Sequence, residues 1–273
     1  MLGVALRDLP WRATRDPWAV LVSELMLQQT QVARVLVPYR AFLERFPTPA
    51  SCAGAPLGEV LQAWSGLGYN RRAAMLHGAA RAVVERHGGA VPRALDDLLA
   101  LPGVGPYTAR AVAAFAFGDD TAVVDVNAGR VLARAVAGRP LAPRAVQALA
   151  DELVPAGRGW AWNQAMVEIG ALWCTARAPR CGGCPLGRAC AWAAAGRPDP
   201  DPARRPVRQS RFEGSDRQGR GRLLQALRRA PVPERSVAEA CGWSEDPARA
   251  RRVATDLVRE GLVRRHGGVL TLP

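Results

Sequence analysis

The chain has 273 residues, 49% of them hydrophobic, and a formal net charge of +13. That length can hold one sizeable core or two small ones with an added module, and the composition argues against a disordered chain. Apolar runs such as Trp18–Leu27 are too short and too interrupted to span a bilayer. The opening residues MLGVALRDLPW lack a secretory layout, so no membrane partner and an intracellular location are expected.

An excess of positive charge calls for an anionic partner, of which a nucleic-acid backbone is the commonest. All 37 basic residues are arginines. Without lysine, no side-chain amine exists to form a Schiff base.

From Pro17 to Gly138 apolar residues recur at three and four spacings, as in Val20, Leu21, Leu25, Leu27 and in Leu57, Val60, Leu61, Trp64. Breakers separate these segments: PTPA at 47–50, GLG at 66–68, HGG at 87–89 and LPGVG at 101–105. Further helices are expected at about Asn127–Val136, Pro143–Val154 and Asn163–Leu172, which makes the body all-α. Residues 194–210 are rich in proline and charge and read as a linker. Beyond them Leu223–Arg229, Ser236–Cys241 and Ala248–Arg259 read as helices. Two short strands should follow about His266-Gly267-Gly268, completing a winged-helix-like layout whose partner is unknown. This stretch, 203–273, holds 16 arginines against eight acids.

Four cysteines fall together as Cys174-x6-Cys181-x2-Cys184-x5-Cys190. Four thiolates this close suit a tetrahedral zinc or a cubane cluster. Zinc ribbons usually carry two Cys-x2-Cys knuckles, and the single knuckle here favours a [4Fe–4S] cluster. Cys52 and Cys241 stand alone and read as small core residues.

The turn Leu101-Pro-Gly-Val-Gly105 lies between two apolar helices. Gly103 and Gly105 leave backbone amides at a helix N-terminus, with Thr108 in the first turn, a geometry that suits a phosphate; an ordinary helix-to-helix turn is the alternative. Glu24 lies in a very apolar helix, where desolvation would keep a carboxyl protonated and able to donate to a leaving base; a buried acid held by a local hydrogen bond is the alternative. Asp125, before Val126-Asn127, is either a helix N-cap or a carboxylate that stabilises an oxocarbenium-like sugar. Two carboxylates in different environments are the usual arrangement for cleaving a glycosidic bond.

Together LPWR at 9–12, SELMLQQTQVARV at 23–35, WSGLGYNRRA at 64–73, LPGVGPYTARAV at 101–112, VVDVN at 123–127 and NQAMVEIGALWC at 163–174 resemble the helix-hairpin-helix glycosylases, and within them the adenine glycosylases. The resemblance implies a two-lobed all-α fold with a [4Fe–4S] loop. Residues 18–121 would form a six-helix lobe with the hairpin at 95–117, and 1–17 with 122–193 the cluster lobe. A winged-helix-like module would follow at 211–273.

The resemblance also implies roles. Glu24 would protonate adenine at N7, and Asp125 would stabilise the sugar cation or trap it covalently, with Tyr107 and Asn127 assisting. Arg12, Glu168 and Leu27 would line the pocket for the flipped base, while Gln28 and Tyr69 wedge into the stack of duplex DNA carrying a mispaired adenine. Cys174, Cys181, Cys184 and Cys190 would hold the cluster. A monomeric bacterial protein of the cytoplasm, working at the nucleoid, is expected. Tyr107 stands where the endonuclease III branch has its lyase lysine, which implies a monofunctional glycosylase.

Three departures stand out. Val126 replaces a common glycine and Asn70 a common tyrosine. The winged-helix-like stretch stands where an oxidised-nucleotide-hydrolase-like domain is usual, which leaves the base opposite the adenine open. The competing expectations are a thymine or uracil mismatch glycosylase on the same scaffold and a non-enzymatic iron–sulfur DNA-binding protein.

Overall fold

The computed structural model describes residues 4–203 and 210–273, and residues 204–209 of the expected linker lie outside the described ones. In chain order the helices are α1 (Pro17–Leu27), α2 (Val32–Arg45), α3 (Pro49–Ala53), α4 (Leu57–Ala63), α5 (Arg71–His87), α6 (Leu95–Leu99) and α7 (Pro106–Ala116). Then come α8 (Val126–Val131), α9 (Pro143–Leu153), α10 (Gly159–Leu172), α11 (Ala191–Ala194), α12 (Asp216–Leu227), α13 (Val237–Cys241) and α14 (Pro247–Arg259). Strands β1 (Val232–Pro233), β2 (Arg264–His266) and β3 (Val269–Thr271) form an antiparallel sheet in the order β1-β3-β2. No helix among the described residues is long and apolar enough to cross a membrane.

The breakers read in the sequence end helices as their chemistry requires. Thr48 caps α3 through a reciprocal bond with Ser51, and Gly88 closes α5 in the left-handed region at φ 61°. Three starts and stops differ from expectation. The helix expected from Asn163 begins at Gly159, because Asp120 accepts the amides of Gly157 at 2.6 Å and Gly159 at 2.9 Å. That cap comes from a distant segment and has no local signal. The helix expected to reach Val136 becomes a π-helical turn over Leu132–Ala137. The helix expected from Leu223 begins at Asp216, running through glycines that host–guest propensity disfavours. A side chain at Gly219 would lie 2.1 Å from the Trp243 ring, so packing demands the glycine and overrides propensity.

Contacts divide the chain into two compact units, Met1–Leu21, Arg93–Leu99 and Val104–Arg208 in the first, and Val22–Pro92, Ala100–Gly103 and Gln209–Pro273 in the second. The first unit packs Ala122, Ala128, Val131, Leu132, Val146, Ala150, Met166 and Ile169 into one core. In the second, Phe42 meets Trp64 edge to face with centroids 6.1 Å apart, and Val35, Leu61, Leu76 and Val83 are fully buried. Leu223, Val237, Val253, Leu257 and Leu270 form the core of the C-terminal segment, with Cys241 buried among the helices as expected.

That segment is tied to the rest of the second unit. Arg228 donates from Nη2 to Asn70 Oδ1 at 2.7 Å and from Nε to the Leu61 carbonyl at 3.1 Å. Gln62 returns a bond to the Arg228 carbonyl at 2.8 Å, and the Gly58 amide donates to the Pro273 carbonyl at 2.9 Å.

Candidate active site

Within the second unit, Glu24 sits on α1 with 6% of its surface exposed, between Ser23 and Leu25, which are also buried. The end of α1 is held by Arg72, itself 6% exposed. Its guanidinium donates to the carbonyls of Leu25 and Met26 at 2.8 Å each, to that of Gln28, and to Thr30 Oγ1 at 2.9 Å. The same group reaches the Gly68 carbonyl at 3.2 Å, so one side chain fixes both the Gln28 turn and the Tyr69 turn. Burial lowers its proton affinity, to a pKa of about 10. Gln29 and Tyr69 adopt φ of 56° and 46°, a region that residues other than glycine rarely occupy. Leu27 and Gln28 are half-buried and Tyr69 is 41% exposed.

Sequence reading missed Arg72. It shares the buried stripe of α5 with Leu76, Ala80 and Val83, and a charge placed on that stripe was the available signal.

Gly103, at φ 78°, lies so close to Met75 that a Cβ there would come within 2.7 Å of the Met75 Cβ. Within the first unit, Gly105 precedes α7 as its N-cap, Tyr107 is half-buried in the first turn and Thr108 is 2% exposed.

Asp125 caps α8. Its Oδ1 accepts the amides of Asn127 at 2.9 Å and Ala128 at 2.7 Å, and its Oδ2 accepts Asn127 Nδ2 at 2.8 Å. Arg130 in turn donates to Asn127 Oδ1 at 2.7 Å and to the Gly170 carbonyl at 2.7 Å. Gly170 is required here, because a Cβ would stand 2.6 Å from the Asn127 Cβ. Val126 projects outward with 80% of its surface exposed.

Arg12 and Glu168 come together with Nη1 2.6 Å from Oε1. Arg7 Nε donates to both Glu168 oxygens at 2.9 and 3.0 Å, a partner that the sequence motifs did not single out. Glu168 has no exposed surface, so its charge depends on these two arginines.

All four clustered cysteines line one cavity, together with Arg134, Ile169, Trp173 and Trp192. Arg134 is 1% exposed, lies 4.9 Å over the Trp192 ring and donates to Cys174 Sγ at 3.5 Å, placing positive charge where thiolates would gather. Burial foremost, and then Cys174, Cys190 and Cys181, raise the Cys184 thiol pKa. A single tetrahedral zinc draws its sulfurs to about 2.3 Å of one point. Four cysteines ringing a cavity with a buried guanidinium at its wall suit a metal group bound through thiolate sulfur.

The chain belongs to a known class. Residues 22–156 match the HhH-GPD superfamily of base excision DNA repair proteins, and the chain belongs to that superfamily.

More particularly, it is 46% identical over 263 residues to an adenine DNA glycosylase of Mycolicibacterium smegmatis, covering 95% of this chain and 88% of that protein. It is 45% identical over 265 residues to an adenine DNA glycosylase of Mycobacterium tuberculosis, covering 95% and 86% respectively. Among solved structures it is similar to a thermostable thymine-DNA glycosylase, with a TM-score of 0.66 and 35% identity over 69% of this chain and 89% of that one. It is also similar to endonuclease III in a non-covalent DNA complex, with a TM-score of 0.61 and 25% identity over 70% and 89%.

Proposed function

We propose that the protein is a monofunctional adenine DNA glycosylase of base excision repair, acting at the bacterial chromosome as a monomer on duplexes in which adenine is mispaired with 8-oxoguanine or guanine. What carries the reading is the 46% identity to an adenine DNA glycosylase across 95% of the chain, together with the nearly buried Glu24 carboxyl.

The target adenine leaves the stack, since its glycosidic bond is out of reach inside a duplex. Arg12, Glu168 and Leu27 receive it. Glu24 gives a proton to N7, so the C1′–N9 bond breaks with its electron pair moving to a neutral adenine. The sugar keeps a positive charge shared by C1′ and the ring oxygen, and the Asp125 carboxylate, held in place by Asn127 and Ala128, stabilises it. Tyr107 and Asn127 assist Asp125. Water then adds at C1′ and gives up a proton to the Glu24 carboxylate, which leaves an abasic site and restores the acid. The chain has no lysine, so no side-chain amine is available to attack C1′ and cut the strand.

Gly103, Gly105 and Thr108 hold the backbone of the DNA at the hairpin. Cys174, Cys181, Cys184 and Cys190 hold a [4Fe–4S] cluster, which contributes folding free energy to the surrounding loop when bound.

Duplexes with A opposite 8-oxoguanine, A opposite G, T opposite G and U opposite G test the reading. Excision of adenine is expected from the first two. The rival draws on the likeness to a thymine-DNA glycosylase at 35% identity, and cleavage confined to T or U duplexes would establish it. Glu24→Gln is expected to abolish excision while the protein still binds the duplex; equal loss of binding would make Glu24 a structural residue.

A further inference from the structure

The proline-rich stretch after the last clustered cysteine was expected to be a linker, yet its first part is docked on the first unit. Pro202 and Ala203 are buried, and the Trp192 indole donates to the Pro198 carbonyl at 3.0 Å. Within this stretch Asp201 turns inward and pairs with Arg134, the guanidinium that stands beside Cys174. Its Oδ1 also accepts the Ala203 amide at 2.9 Å, which fixes the direction of the carboxylate. No step of the proposed excision uses this contact.

A guanidinium carries five N–H donors in a rigid fork, and every one on Arg134 is engaged. Nη1 donates to the Thr175 carbonyl at 2.8 Å and to Cys174 Sγ at 3.5 Å, and Nη2 to the Ala176 carbonyl at 3.2 Å. Asp201 accepts the other two, from Nε on Oδ1 at 2.9 Å and from Nη2 on Oδ2. The fork is therefore held from both sides, and the N–H aimed at Cys174 cannot swing away without breaking the pair. The backbone of the same residue faces the far end of the cysteine motif, with its carbonyl 3.7 Å from Cys190 Sγ. Arg134 thus touches the first and last of the four cysteines, and an acid from beyond the last one sets its orientation. Charge adds a second effect. Thiolates bring negative charge to the cavity, Arg134 offsets it, and the Asp201 carboxylate limits that offset.

We propose that Asp201 is a positioning residue for the group held by the four cysteines: by locking Arg134 against Cys174 it slows loss of that group and keeps its reduction potential low. The inference rests on the reading above in which Cys174, Cys181, Cys184 and Cys190 hold a [4Fe–4S] cluster. Hydrogen bonds to the sulfurs and nearby charge both tune such clusters, and partners behind the ligands govern how tightly metal is kept. The stretch 198–203 is then the closing turn of the cluster loop.

The test uses the full-length protein as isolated, with bleaching of its visible absorbance by an iron chelator as the measure of loss. Asp201→Ala should lose the cluster about tenfold faster than the unaltered protein, the low end of what removing a partner behind a metal ligand does. Asp201→Asn keeps an acceptor for Arg134 Nε and removes the charge. Its loss should accelerate less, and its reduction potential, read by voltammetry on an electrode, should move positive, because an added electron no longer meets that carboxylate. Asp199→Asn removes an exposed carboxylate two residues away and should change neither quantity. Thermal melts establish that each variant is folded. A folded Asp201→Ala that keeps the unaltered rate, an unmoved potential in Asp201→Asn, or equal effects from Asp199→Asn would each overturn the proposal. Zinc in place of iron would sink the cluster reading alone, and the rate of zinc release to a chromogenic chelator in the same variants would then decide the role of Asp201. A chain isolated with neither metal would overturn both.

Discussion

The carboxylate of Glu168, with no exposed surface, lies 2.6 Å from the guanidinium of Arg12, and Arg7 closes on it from a second direction. Removing one member of a buried pair costs about 3–5 kcal/mol, because the partner's charge stays buried. Glu168→Ala should therefore lower the melting temperature by roughly 10 °C, at about 2–4 °C per kcal/mol for a chain of this size. A thermal melt that moves by only a degree or two would show that water compensates the arginines.

Asp125 serves as a helix cap and as the proposed cation stabiliser, and the two roles can be separated. Asparagine caps a helix about as well as aspartate, so Asp125→Asn should leave stability within about 0.5 kcal/mol of the unaltered protein. The same change removes the negative charge, and single-turnover excision should fall by at least about a hundredfold, roughly 2.7 kcal/mol of barrier. Asp125→Ala should lose both, costing about 1 kcal/mol of folding stability as well. Full excision by Asp125→Asn would leave only the cap.

Asp120 gives a pH dependence with a definite sign. Amides of Gly157 and Gly159 hold its carboxylate below the usual range, so the unfolded chain takes up the proton first on acidification. Its stabilising contribution is full above about pH 4, the ordinary value, and is lost as pH falls through the lower folded value. Denaturant midpoints of the unaltered protein and of Asp120→Asn should differ at neutral pH and converge in acid. A gap that persists at the acid end would assign the effect to shape.

The cysteines should divide into two classes. Burial pushes the thiol of Cys52 up to about 12 and that of Cys241 up to about 11, so neither should react with an alkylating reagent at neutral pH in the folded protein. The as-isolated protein should carry about four irons per chain with visible absorbance. Chelation after oxidation should release them and expose four reactive thiols, counted by mass. Cys184→Ser should lose the iron and melt at lower temperature. Stoichiometric zinc would refute the cluster.

Much of the helical body was legible because it rests on local chemistry. The periodicity of Leu57, Val60, Leu61 and Trp64, the Gly88 stop and the glycine pair after His266 each act within a few residues. The four-cysteine spacing was legible for the same reason, since a wrapping loop is itself local. What escaped depends on partners far along the chain. Asp120 sets the start of α10, Trp243 requires Gly219 in α12, and β1 exists because Val232 pairs with Leu270. Arg7 and Arg72 escaped in the same way. An arginine looks like solvated charge until the carboxylate or the carbonyls it serves are brought to it.

The bond between Arg228 and Asn70 has a consequence for how such proteins diversify. Asn70 departs from the tyrosine common in the adenine glycosylases that the sequence resembles, and its amide oxygen is what the C-terminal segment grips. Asn70 is thus one of the residues that hold the C-terminal segment in place. A graft of residues 211–273 onto a relative with tyrosine at that position would lose this bond and keep those through Leu61, Gln62 and Gly58, so carrying position 70 along restores one of four ties.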